Sequence, residues 1–456
     1  THPQDALAAA GATDTIRVAR GTYMPDGARL GDGGYVAGSG DRDATFQLIN
    51  GVILEGGYVG FGGVDPDLRD IAGQPTLLSG DLDNDDAAFT TPADLLTEST
   101  RNENSRHVVT GSGADVTAII DGFTITAGRA NGSANNGRGG GMLNDAGSPT
   151  VRHCIFTANT AEGAAAAGGG MHNRNSSLPT VIGCVFLHNA SSQTGGGMEN
   201  RVDSDATVTS CKFLGNHADT DGGGMGNNND SAPVLTNVLF SGNAAGGNGG
   251  ALFCADTTSP IVTNCTFNQN TADGDGGGVW YEDGELVVVV YNFRSAPIMS
   301  NCIFWGNIDD ADGNAGGPYM DRTAQGHTGG SGSAAVTYSC IQDIDPNDAI
   351  IPYGGAANNN IDDDPLFEDA DGADNVVGTL DDNLRPQFST SPCIDAGDNA
   401  AIPGGVTTDL DGNPRRVDDP AVVDTGNGTA PIVDMGAYEQ RDCDNNGESE
   451  GADSDG

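Results

Sequence analysis

The feature that most constrains this chain is a unit written six times between residues 149 and 307. The first copy reads Pro149-Thr150-Val151-Arg152-His153-Cys154-Ile155-Phe156-Thr157-Ala158-Asn159 and is followed by Gly168-Gly169-Gly170-Met171. The next copies place Cys184, Phe186, Asn189 and Met198 after three glycines, then Cys211, Phe213, Asn216 and Met225 after three more. Phe240 and Asn243 follow with Gly249-Gly250-Ala251-Leu252, then Cys265, Phe267, Asn270 and Val279, and finally Cys302, Phe304 and Asn307. Successive phenylalanines stand 30, 27, 27, 27 and 37 residues apart. A fixed period of this size signals a stacked repeat, in which each unit buries its apolar face against its neighbours.

The parts of the unit specify the type of stack. Val181, Cys184 and Phe186, like Val208, Cys211 and Phe213, give an apolar alternation with Cys and Phe two apart, which puts them on one face of a strand. No 3.6-residue period runs through the unit, and glycine triplets weaken a helix. Each copy therefore reads as one coil of short strands joined by turns, and coils stack at about 4.8 Å, the spacing of paired strands. The predicted fold is all-β, a right-handed parallel β-helix. Phe forms an interior column, Cys a second column, and Asn a ladder at the turn. The glycines supply positive φ and close approach of neighbouring coils.

The paired Phe-x-x-Asn and Gly-Gly-[Gly/Ala]-[Met/Leu/Val] elements resemble the repeats of the polymorphic outer-membrane proteins and related bacterial β-helix surface proteins, over roughly residues 115–345. That resemblance implies a structural or adhesive role at a cell surface.

Four regions follow. Residues 1–114 read as an N-terminal cap and irregular first coils, 115–345 as regular repeats, 346–440 as a C-terminal region and 441–456 as an acidic tail. Residues 3–10 form a short helix candidate ending at Gly11, placed to cover the exposed strand edges of the first coil. Strands are expected at Thr15–Ala19, followed by Gly21–Tyr23, and at Phe46–Ile49, Gly51–Tyr58, Thr76–Ser79 and His107–Thr110, and Ile119–Thr126 begins the regular stack. An insertion, Trp280 to Phe293, reads as an extra core-facing strand in preference to a projecting hairpin or a widened coil. Val336–Ile341 reads as a last coil.

Charge excludes several function classes. The net charge is −45 and Lys212 is the single lysine. Nucleic acid and anionic lipid both need a basic face. Self-repulsion of this size destabilises a compact state unless cations offset it, and a well-solvated surface in salty water stands beside a divalent-ion requirement as the alternative. The longest apolar run, Leu286 to Tyr291, is far shorter than the roughly 20 residues of a membrane span. No membrane insertion is expected. No signal-peptide pattern is visible, and the opening at Thr1 is what a trimmed chain would show. Five of nine cysteines, Cys154, Cys184, Cys211, Cys265 and Cys302, share a repeat position that Val238 fills once. A site that accepts Val is a packing site, so these read as buried thiols, with disulfides between coils as the alternative.

Beyond residue 346, Ser391-Pro-Cys-Ile-Asp-Ala-Gly-Asp398, Thr408-Asp-Leu-Asp-Gly-Asn-Pro-Arg415 and Val433-Asp-Met-Gly-Ala-Tyr-Glu439 follow in order. They resemble the "choice-of-anchor" segment of bacterial surface β-helix proteins, which implies extracellular or cell-surface display. The tail carries oxygen ligands at calcium-loop spacing: Asp442, Asp444, Asn446, Glu448, Glu450 and Asp453, with Gly447 at the sharp turn. It resembles dockerin-type and EF-type loops, and a disordered acidic tail is the alternative. Weaker echoes lie at Asp81, Asp83 and Asp85, at Asp310 and Asp312, at Asp369, Asp371 and Asp374, and at Asp409 and Asp411. Asp-Gly is also a plain turn former. Calcium is the expected cofactor.

No catalytic motif emerges. Glycosidases need two carboxylates at fixed separation, β-helix lyases pair calcium with a basic residue, and His153, His188 and His217 occupy different repeat positions. The expected function is a calcium-stabilised structural or adhesive surface protein without enzymatic activity. Its expected partners are an extracellular glycan, a cell surface or further copies of itself in fibres or surface layers. A polysaccharide lyase or hydrolase and a calcium-dependent glycan-binding module are the alternatives.

Overall fold

A computed structural model of the chain describes residues 2–29, 35–36, 38–282, 295, 297–309, 321–322, 335–342 and 355–440. The chain divides into two compact units, Thr1–Thr207 with Gly215–Ser231, and Val208–Leu214 with Ala232–Gly456. The division falls inside the regular repeats.

The first unit opens with a helix, Pro3–Ala9, whose Leu7 is buried. His2 caps it by accepting from Gln4 N and stacks on Phe46 at 6.0 Å. Coils follow, the first two with three short strands each and the later ones with four, and each of these strands pairs in parallel with its counterpart in the next coil, whereas Ala28–Arg29 and Tyr35–Val36 form a separate antiparallel pair. In one coil these are Thr150–Arg152, Ile155–Thr157, Thr160–Ala161 and Met171–Arg174. Register is exact in residue type: Val151 lies against Val181, Phe156 against Phe186, and Met171 against Met198. Phe156 and Phe186 stack with ring centroids 4.8 Å apart and planes within 4°. That distance is one strand spacing, so in-register aromatics stack by construction.

The second unit repeats the arrangement. Phe213, Phe240, Phe267 and Phe304 stack in file at 4.8, 5.0 and 4.7 Å. Asn243 Nδ2 donates to Asn270 Oδ1 at 2.8 Å, and Asn270 to Asn307 at 2.8 Å. In the first unit Asn159, Asn189 and Asn216 form the same ladder at 3.0 Å per step. Each rung also donates to a strand carbonyl one coil back, Asn159 to Ile125 O and Asn189 to Phe156 O. The ladder thus satisfies backbone acceptors that the turn strips from the sheet.

The first glycine of each triplet has φ between +64° and +70°. A Cβ on the second would stand 2.2 Å from Ala190 O at Gly169 and 2.4 Å from Gly277 O at Gly250. The expected columns of Phe, Cys and Asn are all present, and the described cysteines are buried.

One detail differs from the sequence reading. Cys154 precedes its strand and does not share it with Phe156. A left-handed residue, His153 at φ 50° or Asn264 at φ 52°, bends the chain between the Val and Cys positions, and both still point inward. The stretch Ile119–Thr126 begins the regular stack with the same bend, as two strands, Ile119–Asp121 and Thr124–Thr126, split at Gly122. Of the insertion, Val279–Tyr281 is a strand with Tyr281 buried, and residues 283–294 lie outside the described residues. No helix among the described residues is long and apolar enough to cross a membrane.

Candidate functional site

In the second unit a cleft of about 420 Å³ opens against one sheet face. Its floor comes from paired strands. Thr266–Asn268 and Ile303–Trp305 run parallel with Asn268 opposite Trp305, so both side chains leave the same outer face. Its wall is the C-terminal segment, including Asp364, Phe367 and Gln387. Asn268 is only 1 % exposed, and its Nδ2 has no hydrogen-bond partner. A buried amide donor left unpaired costs about 1–3 kcal/mol, and Asn268 Nδ2 is such a donor. Trp305 and Phe367 provide apolar faces, and Gln342, which accepts from Gly306 N at 2.7 Å, holds the bend beside Trp305. Amides beside aromatic faces suit a ligand with many hydroxyls and apolar C–H faces.

The C-terminal segment is docked on the second unit by the three motifs singled out in the sequence. Arg415, 1 % exposed, donates to the carbonyls of Asp434, Gly436 and Ala437 at 3.0, 2.6 and 3.0 Å. Glu439 lies 3.8 Å from its Nε and accepts from Val417 N and Asp434 N. The segment grips the coils at the left-handed bends. Asn264 Nδ2 donates to Asp434 O, Asn301 Nδ2 to Asp398 O, and Gly436 N to Asn301 O. Sequence reading missed this asparagine column, although Asn237, Asn264 and Asn301 recur two residues beyond the inward Leu, Val or Met of each coil.

The predicted metal ligands are dispersed. Asp81 and Asp85 come together with Asp86 and Glu103, with carboxylate oxygens within 4.8 Å of one another, whereas Asp83 is exposed and outside that group. Arg101 pairs with Asp86 at 2.9 Å beside it. Burial pushes the Asp86 carboxyl up, and Arg101 opposes the shift. Asp409 is buried and filled by backbone amides: Oδ1 accepts from Asp411 N and Asn413 N, and Oδ2 from Glu439 N. Asp411 pairs with Arg385. Asp369, Asp371 and Asp374 lie on one turn, where Asp374 Oδ1 accepts from Val376 N. Asp310, Asp312, Asp442, Asp444, Asn446, Glu448, Glu450 and Asp453 lie outside the described residues.

In the first unit the outer positions of the fourth strand carry a pair the sequence did not flag. His172 and Glu199 stand in register, both fully buried. Burial pushes the Glu199 carboxyl up to about 7, with Arg201 and the amide of Asn228 opposing. Burial lowers the His172 pKa well below its usual value, and the charges of Arg138, Arg174 and Arg201 add to this. The pair is structural, because neither group reaches solvent. Glu199 binds its proton more tightly when folded, so its stabilising effect is complete below about pH 4.5 and is lost as pH rises through about 7. That shift corresponds to roughly 3 kcal/mol. Glu199→Gln is therefore expected to raise the midpoint of urea unfolding at pH 8 and leave it nearly unchanged at pH 5. Equal effects at both pH values would show that the residue is ionised throughout.

A family model described as the right handed beta helix region matches residues 174–362. Among solved structures, a pectate lyase, Pel9A, is similar with a TM-score of 0.43 at 12 % identity, over 95 % of this chain and 90 % of that chain. No curated protein matches the chain. With its parallel sheets and in-register columns, the chain is a right-handed parallel β-helix.

Proposed function

We propose that this right-handed parallel β-helix protein is an adhesive, non-enzymatic surface protein that holds a neutral saccharide unit in the Trp305 cleft. The observation that carries the reading is the unpaired, buried Nδ2 of Asn268 on the cleft floor, opposite Trp305. Asp364 is the one carboxylate among the lining residues, and glycoside hydrolysis uses two. The net charge of −45 favours neutral sugars over uronate polymers. An extracellular setting fits the same charge, because calcium there is abundant enough to occupy weak acidic sites such as Asp81, Asp85, Asp86 and Glu103.

A glycan array probed with the full chain, with and without a chelator, tests this. Binding to neutral glycans is expected, weakened by chelation and reduced about tenfold or more by Trp305→Ala, as for a central aromatic anchor. Circular dichroism of the variant controls for folding. Absence of glycan binding, or binding indifferent to Trp305→Ala, overturns the reading. Turnover of any polysaccharide would replace it with the lyase or hydrolase alternative.

A further inference from the structure

Asp395, in the first C-terminal motif, is fully buried, yet its carboxylate is poorly provided for. Oδ2 accepts from Asp419 N at 3.2 Å, and Oδ1 has no hydrogen-bond partner. A buried carboxylate oxygen without a donor is costly. Its neighbours worsen the position: Asp418 and Asp424, both exposed, bring carboxylate oxygens within 4.8 Å of Asp395 and of each other. The backbone then closes the loop around this group. Thr425 N and Gly426 N donate to Asp395 O at 3.0 Å each, and Ser389 Oγ donates to Asp419 Oδ2 at 2.9 Å.

We propose that Asp395, Asp418 and Asp424 form a calcium site that clamps the loop from Asp418 to Gly426 onto the C-terminal segment. Asp395 is the buried base of the site, and the two exposed aspartates close over the ion from solvent. The donor set is all oxygen and all carboxylate, which suits a hard divalent cation. Oxygens about 2.3–2.6 Å from calcium stand at most about 5 Å apart, which matches this spread, whereas magnesium requires a tighter shell. Burial, then Asp424, Asp418 and Asp419, push the Asp395 carboxyl up to about 7. A bound dication removes that penalty, fills the vacant valence of Oδ1 and offsets the repulsion in one step. The three residues are not spaced as a calcium loop, and none was a ligand candidate in the sequence. The site shares no residue with the glycan cleft or with the Asp81 group.

Isothermal titration of the full chain with calcium chloride, paired with limited proteolysis, tests the site. Asp418→Asn with Asp424→Asn is the main variant, because both side chains are exposed and the fold does not lean on them. One binding event is expected to weaken by about a hundredfold or disappear, since affinity follows the number of charged ligands. Calcium is also expected to slow cleavage between residues 418 and 426 in the native protein and not in the variant. Asp81→Asn with Asp85→Asn is expected to leave both effects intact, which separates this site from the other acidic group. Unchanged titration and protection in the Asp418/Asp424 variant overturn the proposal, and so does loss of both effects in the Asp81/Asp85 variant. Glycan binding through Trp305 is read on a different assay, so either reading can fail alone.

Discussion

Replacing Phe240 by Ala is expected to lower the unfolding free energy of the second unit by about 3–5 kcal/mol, the usual cost of emptying a buried aromatic site. The ring sits between Phe213 at 4.8 Å and Phe267 at 5.0 Å, nearly parallel to the latter. Both neighbours are fixed by strand pairing, with Lys212–Leu214 and Thr266–Asn268 hydrogen-bonded to either side of Leu239–Ser241. The site cannot collapse without breaking register, so the cavity term applies in full. Phe240→Leu keeps part of the volume and is expected to cost about 1.5 kcal/mol or less. Chemical denaturation followed by circular dichroism reads both. A loss under about 1 kcal/mol for Phe240→Ala would mean that the stacked file contributes little and that the sheets alone hold the coils.

The second large effect is expected at Arg415, whose guanidinium satisfies three buried carbonyls and faces Glu439. Arg415→Ala leaves those acceptors and a buried carboxylate without their partner, which costs about 3–5 kcal/mol for a broken buried pair. The loss should be local. The carbonyls belong to residues 434–437, the stretch that bonds Asn301 O and Thr266 Oγ1, so the C-terminal segment should detach while the coils persist. Hydrogen exchange is expected to accelerate across residues 391–440 and remain slow in Leu239–Ser241 and Thr266–Asn268. Arg415→Lys should rescue little, because an ammonium cannot match the planar fork that reaches three acceptors. Uniform acceleration throughout the second unit would show that the segment and the coils open together.

The architecture was legible because period and residue type coincide: a column of Phe, Cys, Asn and Gly can only repeat this way if strands pair in register. The bends were harder to read. Their left-handed position is filled by His153, Gly183, Ser210, Asn237, Asn264 and Asn301, so no single residue type marked the break between the Val and Cys positions. The outer column containing His172 and Glu199 was hidden for a related reason. Outward positions of a strand usually face water, and only the folded turns reveal that these two do not.

The candidate sites were less legible still. The cleft joins Asn268 and Trp305 to Asp364 and Gln387, and the acidic base at Asp395 joins Asp418 and Asp424. Both depend on how the C-terminal segment folds back, which a search for local spacing does not see. The motifs that dock it were noticed as a family-like pattern, and their chemistry, a buried arginine capping carbonyls, became visible only with coordinates.

The file of thiols has a consequence for how this protein could be followed in solution. Cys154 and Cys184 belong to one unit, and Cys211, Cys265 and Cys302 to the other, all buried. Burial pushes the Cys154 and Cys265 thiols well up, so they stay protonated and unreactive while the coils are closed. Each becomes open to an alkylating reagent when its own layer loosens. The chain thus carries an internal set of timestamps, and the order in which they acquire mass under mild denaturant would record which layer lets go first.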